Sequence, residues 1–189
     1  MRTFIAIKIK AEPLLVQIVS DLKDQLKGEI LNWVDIKNLH LTLRFLGETS
    51  EQQILTVKKR LLDIASGYQP IPVGLEGLGY FKSSGMPRVL FVNVYDDGTM
   101  AQLAGEAEDF LGSIGFEREK RPFKPHLTLA RIKFLKNKNR FFDAVDKYRN
   151  LKLQESSVSE IIFFQSVLYP SGPVYHELAA VPLGQESLQ

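Results

Sequence analysis

The sequence predicts a mixed helix-and-strand protein built from two similar lobes within one domain. Three observations support this prediction. Helical and β-rich segments alternate along the chain, one tetrapeptide occurs twice about half a chain apart, and the 189 residues only slightly exceed one average domain. Hydrophobic residues make up 44% of the chain, enough apolar surface to form a core at this length. Disordered and fibrous classes of protein are therefore excluded.

Apolar spacing predicts the individual elements. Pro13 suits the first position of a helix, and Ser50 with Gln53 forms a capping-box pattern at the start of another. The predicted helices span residues 12–28, 50–67, 97–115 and 141–148. The predicted strands span residues 4–9, 39–46, 73–81, 88–95, 126–132, 158–168 and 174–181.

Composition also excludes several kinds of chemistry and location. The chain has no Cys, which excludes disulfides, thiolate zinc sites, iron–sulfur clusters and cysteine nucleophiles, and fits a reducing compartment. Lys8 and Lys10 interrupt the apolar N-terminal segment too early for a signal peptide, and no apolar run approaches the roughly 18 residues of a membrane helix. We therefore expect a cytoplasmic protein that does not associate with membranes. We further expect it to be a monomer.

Positive charge is concentrated in one part of the chain. The overall net charge is only +2, but residues 118–140 contain nine Lys and Arg residues against the single acid Glu119. Such a run is either a solvated surface or a basic rim that attracts a polyanion such as RNA. The run surrounds the second of the two motifs described next, which favours the second interpretation.

The tetrapeptide His-Leu-Thr-Leu begins at His40 and again at His126, 86 residues later. On a strand, His and Thr of each copy share one face while the two leucines point to the other, into a core. If the two lobes pair about a pseudo-twofold axis, His40, Thr42, His126 and Thr128 converge on one groove. The repeat therefore predicts a site built equally from both lobes.

Two imidazoles and two hydroxyls suit hydrolysis of a phosphodiester. The His pKa of about 6.5 lets one ring act as an acid and the other as a base near neutral pH. Threonine hydroxyls can donate to the non-bridging oxygens of a phosphate. A single His-x-Thr pair on a strand would be ordinary surface composition, but its duplication favours a site. The three His residues lack metal-ligand spacing and no Gly-x-Ser-x-Gly is present, so we predict neither a metal nor a cofactor.

The segments around the motifs resemble the 2H phosphoesterase superfamily, and more narrowly its 2′-5′ RNA ligase-like branch of RNA 2′,3′-cyclic phosphodiesterases. The paired His-x-Thr motifs are specific to the superfamily, whereas Phe-Leu-Gly-Glu after the first motif and Lys-Pro before the second point to the branch. The matching segments are spread over nearly the whole chain, at residues 2–7, 33–48, 78–81, 88–91, 123–131 and 168–175.

The resemblance implies a bilobal α+β fold, with antiparallel sheets lining a central cleft and helices packed outside. Residues 1–189 would form one bilobal domain, with one motif in each lobe. The implied activity is metal-independent hydrolysis of a 2′,3′-cyclic phosphate to a 2′-phosphate. In that reaction His40 would protonate the leaving O3′, His126 would activate water, and Thr42 and Thr128 would hold the phosphate.

Three further residues are candidates for substrate binding. By strand alternation Arg44 lies on the His40 face and could reach the phosphate. Arg131 falls on the face opposite to His126 unless a bulge turns it inward, although the resemblance favours an arginine near the site. Tyr175 could stack on a base, although aromatic residues in strands more often belong to the core.

The expected partner is therefore RNA or a nucleotide that ends in a 2′,3′-cyclic phosphate. Two alternatives keep the same chemistry, namely a phosphodiesterase for small cyclic nucleotides and a reversible 2′-5′ RNA ligase. A third alternative is an RNA-binding module that keeps the groove without catalysis, and the two intact His-x-Thr motifs argue against it.

Overall fold

Helices and strands alternate along the chain in the computed structural model, which describes residues 1–170 and 172–184. Ser171, part of the last segment that carries the resemblance, lies outside the described residues. The helices are α1 (Pro13–Gln25), α2 (Glu51–Ser66), α3 (Thr99–Ser113) and α4 (Lys138–Asp146). The strands are β1 (Arg2–Lys8), β2 (Ile30–Trp33), β3 (His40–Glu48), β4 (Ile71–Ser83), β5 (Met86–Tyr95), β6 (His126–Phe134), β7 (Lys152–Val158), β8 (Glu160–Tyr169) and β9 (Gly172–Pro182). The predicted α+β class is confirmed.

These strands form one curled antiparallel sheet in the order β7-β4-β5-β6-β3-β1-β8-β9, and β2 lies beside β6. The order divides the sheet into two halves of four strands that meet where β6 adjoins β3. The halves do not follow the order of the chain, because β8 and β9 return from the C-terminal part to pair beside β1. Each half carries one of the two His-x-Thr motifs, so both motifs lie on the two central strands.

The helices cover one face of the sheet. Helices α2 and α3 contact β3, β8 and β9, whereas α1 and α4 contact β4 and β7. Their apolar sides join the inward-pointing strand residues in one large core, which includes Ile7, Leu41 and Leu127. Among the described helices, none has the length and apolar character that crossing a membrane requires. The opposite face of the sheet is left as a groove, with a small apolar cluster of Phe4, Ala6, Ile162 and Phe164.

Local sequence explains the ends of the helices. Ser50 and Gln53 form the predicted capping box at α2, with a 3.2 Å bond from the Gln53 amide to Ser50 Oγ and a 3.0 Å bond in return. Helix α4 begins before Phe141, the predicted start, because the Asn137 side chain accepts a hydrogen bond from the Arg140 amide.

Two strands were not predicted. Strand β2 has only four residues, too few to show a period. Strand β7 is largely polar and pairs only with β4, because it forms an edge of the sheet. Both strands depend on a neighbour that is distant in sequence, and a local pattern does not reveal such a neighbour.

Candidate active site

The junction between β3 and β6 brings the two motifs together. Leu41 pairs with Leu127 in antiparallel register, and both side chains are fully buried on the helix-covered face. Continuing this register by one residue places His40 opposite Thr128, and in the other direction Thr42 opposite His126. Side chains on neighbouring strand positions point to opposite faces, so all four lie together on the groove side. The two His residues occupy one diagonal of this arrangement and the two Thr residues the other.

Both imidazoles are fixed in the same way. His40 Nδ1 lies 2.7 Å from the Asn38 carbonyl oxygen, and His126 Nδ1 lies 2.7 Å from the Lys124 carbonyl oxygen. A carbonyl can only accept, so each Nδ1 carries a proton and donates it. In the neutral ring, Nε2 is then the atom that can take a proton from substrate or water. Each motif thus sets the tautomer of its own His through the residue two positions earlier.

Aromatic rings surround both His residues. The centroid of the His40 ring lies 5.2 Å from that of Phe4 and 5.3 Å from that of Tyr175, which meets it edge-on. The His126 ring lies 4.8 Å from Phe81 and 5.4 Å from Phe91. These contacts restrict the orientation of each imidazole and exclude water from its sides.

This burial lowers the pKa of both His residues below its usual value of 6.5. For His40, the charges of Arg131 and His126 add to the effect of burial, and the bond to Asn38 opposes it. For His126, the charges of Lys124 and Arg131 add to burial, and the bond to the Lys124 carbonyl opposes it. The charge of Arg131 thus contributes to the lowered pKa of both rings.

A β-bulge at the same position of each motif determines which later residues reach the groove. Along β6, Thr128 pairs with Phe91 and Ala130 with Leu90, so Leu129 is an extra residue. The face of every following side chain is therefore reversed, and Arg131 joins His126 on the groove side, where it is exposed.

The equivalent bulge on β3 corrects the prediction for Arg44. Thr42 pairs with Ala6 and Arg44 with Ile5, so Leu43 is the extra residue. Simple alternation placed Arg44 beside His40, and this was wrong because the bulge turns Arg44 to the helix-covered face. There its guanidinium forms an ion pair with Glu108 of α3 and its side chain is only 12% exposed. Phe45 takes the groove position instead.

The two halves therefore differ at one symmetric position. Five residues after its His, the first half presents Phe45 to the groove and the second half presents Arg131. Phe45 is 54% exposed, and its ring centroid lies 5.8 Å from that of Phe4. At this position one half thus presents an apolar ring and the other a positive charge, although both copies of the motif have the same sequence.

Other groove residues were not identified from the sequence. Lys8 pairs across the sheet with His40 and forms an ion pair with Glu177 of β9. Asn93 occupies the equivalent position opposite His126 and donates a 3.1 Å hydrogen bond to the Gly77 carbonyl. Alternation within β1 and β5 gives the face of the strand on which Lys8 and Asn93 lie. Only the strand pairing shows that each of them lies beside a His.

Packing around His126 requires a glycine. Gly79 pairs with Phe91, and a Cβ atom built on Gly79 would lie 2.7 Å from the Phe91 ring. In the other half the sizes of the two paired residues are exchanged, since the small Ala6 on β1 pairs with the large Ile162 on β8. The Phe91 ring can rest against His126 only because β4 carries no side chain at residue 79.

Comparison with known proteins gives the family. A family model described as LigT-like phosphoesterase matches residues 7–91 and 95–175, which together make up most of the chain. The first matched segment includes the His40 motif and the second the His126 motif. The chain belongs to the LigT-like phosphoesterase family.

Curated relatives of this LigT-like phosphoesterase share a common description. This chain is 32% identical over 175 residues to an RNA 2′,3′-cyclic phosphodiesterase of Methanocaldococcus jannaschii, a match that covers 93% of this chain and 96% of the relative. It is 34% identical over 186 residues to an RNA 2′,3′-cyclic phosphodiesterase of Archaeoglobus fulgidus, covering 94% and 98%.

Solved structures of LigT-like proteins share its fold. A crystal structure of a Thermus thermophilus protein superposes with a TM-score of 0.77 at 29% identity, covering 99% of this chain and 100% of that one. The crystal structure of E. coli LigT complexed with 3′-AMP superposes with a TM-score of 0.76 at 27% identity, covering 97% and 98%.

The glycine requirement predicts a loss of stability. We expect Gly79→Ala to lower the free energy of unfolding by about 1–3 kcal/mol, because the new methyl group overlaps the buried Phe91 ring. Urea denaturation measures this change. Gly74→Ala on the same strand is the matched control, since its Cβ would meet nothing within 4 Å. Equal stability of the two variants would contradict the packing argument.

The lowered pKa values predict the pH dependence of catalysis. If the two rings act as an acid and a base, one of them must be protonated, so we expect kcat/KM to peak below about pH 6.5 and to fall at higher pH as the acid loses its proton. Arg131→Gln removes a charge that lowers both pKa values, and its alkaline limb should move to higher pH. Arg60→Gln on the helix-covered side makes the same change in charge and should leave the profile unmoved. An alkaline limb unchanged in Arg131→Gln would contradict this electrostatic role.

Proposed function

We propose that this protein hydrolyses RNA 2′,3′-cyclic phosphate ends to 2′-phosphates by a metal-independent reaction of two histidines. One observation carries the proposal: the β3–β6 register places His40 and His126 on one diagonal of the groove and Thr42 and Thr128 on the other. Family membership and the named activity of the relatives support the same reaction.

The diagonal arrangement suits in-line displacement at phosphorus. The attacking and leaving oxygens must lie on opposite sides of the phosphorus atom, so an acid and a base are needed at the two ends of one axis. With phosphorus above the centre of the four residues, that axis follows the His diagonal. The two non-bridging oxygens then point along the Thr diagonal, where hydroxyl groups can donate hydrogen bonds to them.

In the proposed reaction, His126 Nε2 takes a proton from water as the water oxygen attacks phosphorus. The P–O3′ bond breaks, and the protonated Nε2 of His40 gives its proton to O3′. The products are a 3′-hydroxyl and a 2′-phosphate, with one proton transferred at each His. Arg131 stabilises the anionic phosphate from its side of the groove. Tyr175 meets the His40 ring edge-on and maintains its orientation.

No residue cluster in the described parts of the chain brings three or more His, Cys, Asp or Glu side chains together in a way that could hold a metal ion. The proposed steps use only protein side chains and water. E. coli LigT has been crystallised with 3′-AMP, a nucleotide that carries a phosphate on its ribose, and this supports a ribonucleotide substrate.

The His pair predicts strongly non-additive mutant kinetics. We expect His40→Ala and His126→Ala each to lower kcat on a cyclic mononucleotide by about 10²-fold or more, because each removes a proton-transfer group. The double variant should lose far less than the product of the two factors, because both groups act in one step. Thr42→Ala and Thr128→Ala should cost less. His176→Ala changes an exposed His of β9 and serves as the control. Near wild-type turnover in either single His variant would refute the mechanism.

The product identifies which bond breaks. An RNA that ends in a 2′,3′-cyclic phosphate, digested in EDTA, should give a 2′-phosphate almost exclusively, because two fixed His residues serve one in-line axis for one orientation of the ribose. Chromatography against authentic 2′- and 3′-phosphates measures the ratio. A predominant 3′-phosphate would refute the assigned regiochemistry. Loss of activity in EDTA that one divalent metal restores would refute metal independence.

A further inference from the structure

The groove continues beyond the catalytic residues along β6 and β2. Strand β2 lies on the same side of β6 as β3 and pairs with the part of β6 that follows the motif. Asn32 pairs with Arg131, Leu31 with Ile132, and Ile30 with Phe134. Leu31 and Ile132 belong to the core side, so the pairs on either side of them face the groove.

An exposed apolar pair therefore stands on the groove side, beyond Arg131. Phe134 is 57% exposed and Ile30 is 49% exposed, and they are direct cross-strand neighbours. Between Thr128 and Phe134, two residues are extra residues in bulges and add no length along the strand. The four remaining steps, at about 3.4 Å each, put Phe134 roughly 14 Å from Thr128. A mononucleotide held at the catalytic His residues does not extend this far, but the preceding nucleotides of an RNA chain do.

The charge around this pair fits an RNA strand. Arg131 lies between the catalytic residues and the apolar pair. Arg88 donates a 3.1 Å hydrogen bond to the carbonyl of Lys133, the residue before Phe134. Arg140 donates a 3.4 Å bond to the Lys27 carbonyl at the start of the segment leading to β2. The acid Glu29 is occupied by the backbone amides of residues 136 and 137. An aromatic side chain among basic residues is the arrangement by which proteins bind single-stranded nucleic acid.

The surroundings of the exposed aromatic residue at the other end of the second half are mixed in charge. Tyr95, at the end of β5 beyond Asn93, is 58% exposed but lines a hollow with Asp96, Asp97 and Glu155. These three carboxylates repel phosphate groups. Three carboxylates surround Tyr95 and basic residues surround Phe134, so the direction past Phe134 is the more favourable one for an RNA backbone.

We propose that the RNA segment preceding the cyclic end leaves the catalytic groove over Arg131 and stacks a base on the Ile30–Phe134 pair. This inference rests on the proposed function, since it assumes that the cyclic end occupies the His40–His126 site. It assigns a binding role to two residues outside the motifs and makes the enzyme prefer oligonucleotides to mononucleotides.

The test compares two substrates that share the same terminal nucleotide, a 2′,3′-cyclic mononucleotide and a tetranucleotide with that cyclic end. Phe134→Ala should raise KM for the tetranucleotide at least about fivefold, because one stacked base is lost, and leave KM for the mononucleotide within about twofold. Phe134→Trp should keep the wild-type preference, since it retains an aromatic face. Tyr95→Ala, an equally exposed aromatic residue in acidic surroundings, should change neither value.

Three results would overturn the inference. Phe134→Ala could leave the tetranucleotide unaffected, it could impair both substrates equally, or it could convert a dimer to a monomer in sedimentation, which would make the pair a contact between two copies. Binding of a tetranucleotide with a 3′-phosphate end, measured by fluorescence anisotropy, separates this inference from the proposed function. If neither cyclic substrate is hydrolysed, the proposed function fails, whereas the anisotropy of Phe134→Ala still reports the RNA contact.

Discussion

The antiparallel contact between Leu41 and Leu127 is the constraint on which the site depends. It joins two four-stranded halves into one sheet, and the burial of both side chains fixes which face their neighbours occupy. A shift of one residue in this register would turn one of the two His-x-Thr pairs into the core and leave the other in the groove. The apolar positions of the motif therefore matter as much as the polar ones, since the leucines determine where the imidazoles and hydroxyls meet.

The two bulges give a nearly symmetric frame an unsymmetric site. Both halves insert an extra leucine after the Thr, and the position that this exposes is Phe45 in one half and Arg131 in the other. In the proposed function the arginine attracts the phosphate, a role that Phe45 cannot perform in the other half. The same device removes Arg44 from the groove and uses it in an ion pair with Glu108, which attaches α3 to the sheet.

Much of this arrangement could be predicted from the sequence, because the information is local. The capping box at Ser50, the Pro at the start of α1 and the alternation within each motif depend only on near neighbours. The facing of Arg44, the short strand β2 and the polar edge strand β7 depend on pairing with distant strands. A bulge does not disturb the alternation of apolar and polar residues in a run such as Leu-Thr-Leu, because the extra residue is itself a leucine. The pairing of Lys8 with His40 could not be predicted either, because it also joins strands that are distant in sequence.

In the proposed mechanism, two histidines that occupy equivalent positions of a symmetric fold perform different roles. Their tautomers are identical by construction, since each Nδ1 donates to the carbonyl two residues earlier. Their surroundings differ: Lys8 stands beside His40, whereas Asn93 stands beside His126, and Arg131 projects from the His126 strand. The two rings need not differ in their acid and base roles before the substrate binds, provided that the substrate binds in one orientation only. In the proposed function, the difference between Phe45 and Arg131 supplies that orientation, so the division of roles between the rings would follow from the direction in which the RNA enters.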